Sequence, residues 1–223
     1  MLQKVVAVVP LSQSKACNAC GASFETESLS CPQCRALPPI PLSGVVPSYF
    51  EVMGLPVSLA IDTSRLQTRY HALSKQVHPD KFATQSPQQQ SLAMRWSTLL
   101  NRAYQTLKAR DKRANYLLER EGISRTKNAK VPVDLAESYF ELQDLLQEGG
   151  SDDALIQFRD QLLKLKEEYE TNWAVLEKEW DSALSKKEVL QKISDLLNEE
   201  HYLESMLEDV VKKLGVASAN RRN

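Results

Sequence analysis

The chain has 223 residues, 42% hydrophobic and 26% charged, with a formal net charge of −1. That is an ordinary globular composition, enough for one large domain or two or three small ones. Only 7 residues are glycine, and neither G-x-G-x-x-G nor G-x-x-x-x-G-K-[ST] occurs, which argues against a nucleotide-binding α/β fold.

The uncharged stretch Ala36 to Phe50 carries Pro38, Pro39, Pro41 and Pro47, so it is not a membrane helix. The apolar run Val5 to Val9 is too short for a signal-peptide core. The charge is unevenly spread. From Asp62 to Arg120 eleven Lys/Arg face four Asp/Glu, a balance of +7. From Asp134 to Leu214 nine face twenty-one, a balance of −12. Two modules with different partners are expected, the first drawn to an acidic surface. Nucleic acid is not expected as that partner, because the basic block shows helical periodicity and no RNA-binding signature. No membrane partner is expected either.

Residues 1–14 read as a flexible N-terminus. All 4 cysteines follow within 15–36, at Cys17, Cys20, Cys31 and Cys34, two C-x2-C pairs with ten residues between. A two-residue gap lets both thiolates of a pair turn toward one ion, and two pairs complete a tetrahedral sulfur shell. One structural Zn²⁺ suits this set, since it takes four soft ligands without redox demand. The spacer can close a small hairpin. Two disulfides, a redox C-x-x-C and an iron–sulfur site are the rival readings. A full sulfur shell leaves no open position, so no catalysis is expected there.

Residues 37–48 are proline-rich and read as a linker. A short apolar patch, Tyr49 to Met53, ends at Gly54-Leu55-Pro56. Asp62, Thr63 or Ser64 can cap a helix whose stripe is Leu66, Tyr70, Leu73 and Val77. Arg65, Arg69 and Lys75 lie off that stripe and predict a basic exposed face. Pro79 stops the helix, because it restricts His78 to extended backbone. After Pro87 the residues Leu92, Trp96, Leu99, Leu100, Ala103, Tyr104 and Leu107 mark a second helix, paired antiparallel to the first across a loop at 82–87. A shorter helix over about 111–120 ends at Gly122. His71 and His201 read as surface residues.

The run Tyr49 to Leu55, the basic helix, His78-Pro79-Asp80-Lys81-Phe82, Asn101 to Leu107 and Asp111 to Leu118 together resemble a J-domain over 49–124. The resemblance implies docking on a 70-kDa heat-shock chaperone and stimulation of its ATP hydrolysis. His78, Pro79 and Asp80 would form the presented loop, and a loop carboxylate can pair with an arginine of the partner. Arg69, Lys75 and Lys81 would meet an acidic patch.

The acidic module spans 132–215. One helix from Pro132 or Asp134 to about Glu148 buries Leu135, Tyr139, Leu142 and Leu146. A long second helix carries Leu155, Phe158, Leu162, Leu165, Tyr169, Trp173, Leu176 and Trp180 at steps of three and four. A third starts at Ser185, carries Val189, Ile193, Leu196, Leu203, Leu207, Val210 and Leu214, and ends at Gly215. Residues 216–223 read as a frayed tail. The fold expected is all-α: a helical-hairpin J-domain followed by an antiparallel three-helix bundle, preceded by a small zinc-binding knuckle. Phe140, Tyr202 and Met206 lie beside the main stripes, either widening the core or forming a binding patch with Glu141, Asp144 and Glu148.

This order of parts is similar to the HscB-type co-chaperones of iron–sulfur cluster assembly, in their eukaryotic form. Cys31-Pro32-Gln33-Cys34-Arg35-Ala36-Leu37 and Tyr116-Leu117-Leu118-x-x-x-Gly122-Ile123 carry that similarity. It implies an adaptor, not an enzyme, whose bundle holds an iron–sulfur scaffold protein through Phe140, Glu141, Asp144, Glu148 and Tyr202. A general J-protein with another client, or a thiol-redox protein, are the alternatives. A homodimer is left open. The family implies mitochondria. The first sixteen residues hold Lys4 and Lys15 but no arginine and little amphipathic pattern, so they do not read as a transit peptide and a cytosolic location is the alternative.

Overall fold

The computed structural model describes residues 14–25, 28–40, 47–125 and 132–220, with side chains to 215. Most of the N-terminus, part of the proline-rich stretch (41–46) and the last three residues therefore lie outside the described residues. The chain divides into two compact units, the first comprising 1–57 and 61–109 and the second 58–60 and 110–223.

The first unit opens with strands β1 (Ser14–Ala16) and β2 (Ser23–Glu25), antiparallel with Lys15 opposite Phe24. The hairpin they form encloses the first cysteine pair. Sequence reasoning instead placed a hairpin in the spacer. The difference follows from the tight turn that Cys17 and Cys20 already make, which brings the flanking residues side by side.

Helix α1 (Tyr49–Met53) starts at a reciprocal cap. The Ser48 hydroxyl accepts the Glu51 N–H at 3.1 Å, and the Glu51 carboxylate accepts the Ser48 N–H at 2.6 Å. Gly54 closes the helix at φ 63°, a left-handed backbone that suits glycine. Helix α2 (Thr63–Val77) is capped by Asp62, which accepts from the N–H groups of Ser64 and Arg65 at 2.9 and 3.1 Å. A 3-10 turn (Pro79–Phe82) follows, then α3 (Pro87–Lys108).

Helix α3 packs against both α1 and α2. Phe50, Met53, Leu66, Leu73, Val77, Leu100, Ala103 and Leu107 are almost fully buried between them. Apart from the small Ala103, each of these side chains withdrawn from water contributes roughly 1.5–3 kcal/mol, which is what holds these short helices together. Tyr70, expected in the core stripe, is only half-buried; it stacks on Tyr104 at 4.3 Å and donates to Asn101 at 2.6 Å. His71 is exposed as expected.

The described part of the proline-rich stretch is not a free linker. Leu37 and Ile40 are buried, and the Trp96 indole N–H donates to the Pro38 carbonyl at 2.9 Å.

The second unit is helical: α4 (Arg110–Arg120), α5 (Val133–Gln147), α6 (Asp152–Ser182) and α7 (Lys186–Asn220). Helix α7 touches α4, α5 and α6. Its buried set is accordingly wider than one stripe: Leu190, Leu197 and Met206 join Val189, Ile193, Leu196, Leu203 and Val210. Met206, offered as a candidate patch residue, is therefore core. Gly215 does not end α7, which continues to Asn220, so residues 216–220 are helical and not a frayed tail. Tyr139 is a further correction: it is 44% exposed, because α5 turns only Leu135 and Leu142 fully inward. No helix among the described residues is long and apolar enough to cross a membrane.

Candidate functional site

Proline makes the corner between α2 and α3. His78 takes φ −58°, ψ 126° and leaves the helix, and Pro79 opens the 3-10 turn. Lys81 N–H donates to the His78 carbonyl at 3.0 Å. Phe82, 2% exposed, pins the turn into the core. The neighbouring polar side chains are thereby turned to solvent, with His78 58% and Asp80 89% exposed at the side chain. The His78 Nδ1 sits 3.4 Å from the Asp80 N–H and 3.5 Å from its carboxylate. The imidazole Nδ1 accepts from that N–H. The Asp80 carboxylate thus remains open to a cationic partner.

Lys75 and Lys81 are exposed near this corner in sequence. Arg69 differs from the expected free cation. It is half-buried and its Nε donates to the Met53 carbonyl at 3.2 Å. Gly54 explains this: a Cβ there would stand 3.2 Å from the Arg69 guanidinium, which lies over the glycine and caps the end of α1.

The four cysteines converge. Their sulfur atoms all lie within 4.8 Å of one another, with Cys17 and Cys34 at 3.5 Å and Cys20 and Cys31 at 3.7 Å. A disulfide needs about 2.05 Å, and the cysteines are free. Tetrahedral thiolates at ~2.3 Å from a zinc-sized ion would be ~3.8 Å apart, so the spacing fits a metal.

The two pairs repeat one backbone design. Gly21 N–H donates to the Cys17 carbonyl and Arg35 N–H to the Cys31 carbonyl, each at 2.8 Å. Cys17 N–H donates to Ala22 and Cys31 N–H to Ala36, at 2.8 and 3.0 Å. Gly21 and Arg35, at equivalent places, both have positive φ, 75° and 60°. The Ala19 N–H donated to the Cys17 sulfur draws that thiol down to about 6. Backbone N–H donation from Cys34 lowers Cys31 likewise. Ligand thiols must ionise, and these donors favour the ionised form at Cys17 and Cys31, whereas Cys20 is pushed up to about 12 and Cys34 also rises, by burial and the neighbouring thiols.

In the second unit Phe140 is 67% and Tyr202 37% exposed, on the contacting helices α5 and α7. Tyr139 meets Phe140 edge-on at 6.1 Å. Glu141, Asp144 and Glu148 are exposed on the same helix or its C-cap. Sequence reasoning missed Tyr139 here, because the three-and-four spacing assigned it inward.

It also missed a polar cluster joining α4, α6 and α7. Arg110 grips Glu170 through two bonds of 2.6 and 2.7 Å and lies 4.7 Å over the Trp173 ring. The Trp173 indole donates to Glu200 at 2.7 Å. Arg110's hydrogen bond holds the Glu170 carboxyl below its ordinary range, whereas burial pushes Glu200 up. No motif in the chain signals such a long-range set.

Residues 48–116 match the DnaJ domain, so the corner with His78-Pro79-Asp80 belongs to a J-domain. A co-chaperone HscB homolog of Vibrio cholerae is 32% identical over 169 residues, covering 72% of this chain and 98% of the relative. The homolog of Burkholderia thailandensis is 46% identical over 76 residues, 34% of this chain and 43% of its own length. The crystal structure of human co-chaperone HscB superposes with a TM-score of 0.64 at 28% identity, covering 89% of this chain and 98% of that one. The Vibrio cholerae HscB structure gives 0.55 at 27% identity, over 74% and 96%. The chain belongs to the HscB family of J-domain co-chaperones, in the form that carries an N-terminal four-cysteine knuckle.

Proposed function

We propose that this co-chaperone binds an iron–sulfur cluster scaffold protein through its helical bundle and stimulates ATP hydrolysis by a 70-kDa heat-shock chaperone. The observation that carries the second half is the Asp80 carboxylate, 89% exposed on a corner anchored by Phe82. A rigid acid presented outside a helix end can form a charge-assisted pair with an arginine of the chaperone. Lys75 and Lys81 add attraction to an acidic face, and Arg69 contributes by holding α1 against α2. His78 supports the Asp80 backbone and Pro79 fixes the corner.

On the bundle, Phe140 and Tyr202 supply the apolar anchors and Glu141, Asp144 and Glu148 the polar rim, an arrangement suited to a protein partner. The protein acts on its partners as a regulator and carries no catalytic step of its own. The four cysteines hold one structural Zn²⁺, whose closed sulfur shell fixes the two knuckles. The mitochondrial cluster-assembly machinery is the setting this reading implies, checked by fractionation against a cytosolic pool.

The deciding experiment measures ATP turnover of a cognate chaperone with and without the protein. Stimulation by the wild type and its loss in Asp80→Asn supports the reading. Absence of stimulation, or full stimulation by Asp80→Asn, overturns it. A pull-down recovering unfolded clients but no scaffold would reassign the bundle to general J-protein work.

A further inference from the structure

Two glutamines bracket the corner. Gln76 lies on the last turn of α2, just before Val77 and His78, and Gln89 on the first turn of α3. Both side-chain oxygens face the cysteine module. Gln76 Oε1 accepts from Leu29 N–H at 2.9 Å, Ser28 Oγ at 3.0 Å and Ser30 N–H at 3.3 Å. Gln89 Oε1 accepts from Leu37 N–H at 2.8 Å. Ser30 leads directly into Cys31, and Leu37 directly follows Ala36, the residue that accepts the Cys31 N–H. The second knuckle is therefore held at its entrance by α2 and at its exit by α3. Leu29 and Leu37 are buried at the same two points.

The next residue on α3 completes the connection. Gln90 donates its amide to the Ala83 and Gln85 carbonyls, at 3.1 and 2.9 Å. The first turn of α3 thus stands between the knuckle, through Gln89, and the corner, through Gln90.

We propose that the cysteine module is a buttress for the chaperone-docking corner, with Gln76 and Gln89 as positioning residues that make the rigidity of Asp80 depend on the metal state of the four cysteines. With metal bound, the knuckle holds the end of α2 and the start of α3 at one separation. Without it, residues 28–30 and 37 lose their fixed geometry and both glutamines lose their donors. This rests on the reading of Asp80 given above, but its test needs no chaperone.

The test is amide hydrogen exchange in the full chain, read at Lys81 and Gln85, whose N–H groups bond within the corner at 3.0 and 2.9 Å. Stripping the metal with a chelator should speed both about tenfold, the scale of losing a few modest hydrogen bonds, with core amides such as Leu100 unchanged. The double variant Gln76→Leu/Gln89→Leu should show the same acceleration with metal still bound. Chelation should then add little. Gln76→Glu, which keeps an acceptor oxygen, should restore protection when paired with native Gln89. Corner amides indifferent to chelation overturn the proposal, as does a metal-loaded double variant with full protection. Acceleration that includes Leu100 also overturns it, since the metal would then hold the whole unit and not the corner. If the exchange coupling is found but ATPase stimulation is not, the role of Asp80 fails while the buttress stands.

Discussion

Helix α5 carries most of the proposed scaffold-binding patch, yet only Leu135 and Leu142 on it are fully inward, at 2% and 0% exposure. Leu142→Ala removes one of these two anchors. Truncating a buried leucine costs ~2.7–5 kcal/mol, of which part is the cavity left behind. A value of about 3 kcal/mol fits here, since a single helix can partly settle into the space. With a urea slope near ~2 kcal/mol per molar, the midpoint of the second unit should fall by ~1.5 M. Tryptophan emission reports it, because Trp173 and Trp180 both lie in α6 of that unit. The contrasting variant is Phe140→Ala. Its side chain is 67% exposed, so stability should stay within ~0.5 kcal/mol. Scaffold affinity, read by calorimetry, should nevertheless fall by ~2 kcal/mol, about thirtyfold, if this aromatic is an anchor. A Leu142→Ala midpoint within experimental error of wild type would refute the anchoring argument. A comparable loss of stability in Phe140→Ala would show that the aromatic is packed and not presented.

Three further outcomes are expected. Gly21→Ala places a side chain at φ 75°; the strain of ~1 kcal/mol should weaken metal retention about fivefold in competition with a chelator. Glu170, lowered by its hydrogen bond to Arg110, contributes stability that is present above its unfolded value near 4.5 and lost as pH falls through the lower folded value. Glu170→Gln should therefore make the acid-side loss of stability below about pH 4.5 shallower in urea titrations; an unchanged slope would deny the pair a role. Glu200 has the opposite sign, since burial raises it and its ionisation costs stability as pH rises. Trp173→Phe replaces the indole by a smaller phenyl ring and deletes the donor to Glu200; beyond the pH-independent cost of the lost volume, it should destabilise the second unit by ~1–2 kcal/mol at pH 7 and by less at pH 4.

Local chemistry along the chain was enough for the parts and their order. Paired cysteines at C-x2-C, a proline after a helical stripe, and runs at three-and-four spacing each act over a few residues. The knuckle, the exposed His78-Pro79-Asp80 corner and the long helices of the bundle could therefore be read directly. Asp62 as a cap and Gly122 as a helix end, at φ 67°, were legible for the same reason. What the periodicity could not supply was the number of neighbours each helix would meet. Because α7 has three, Met206 is buried; because α5 has few inward positions, Tyr139 is not. Polar side chains carry no periodic signal at all. Arg69 over Gly54, the Arg110–Glu170–Trp173 cluster, and the clasp of Gln76 and Gln89 on the cysteine module join residues far apart in the chain, and only the packed fold decides which distant carbonyl or carboxylate each one meets.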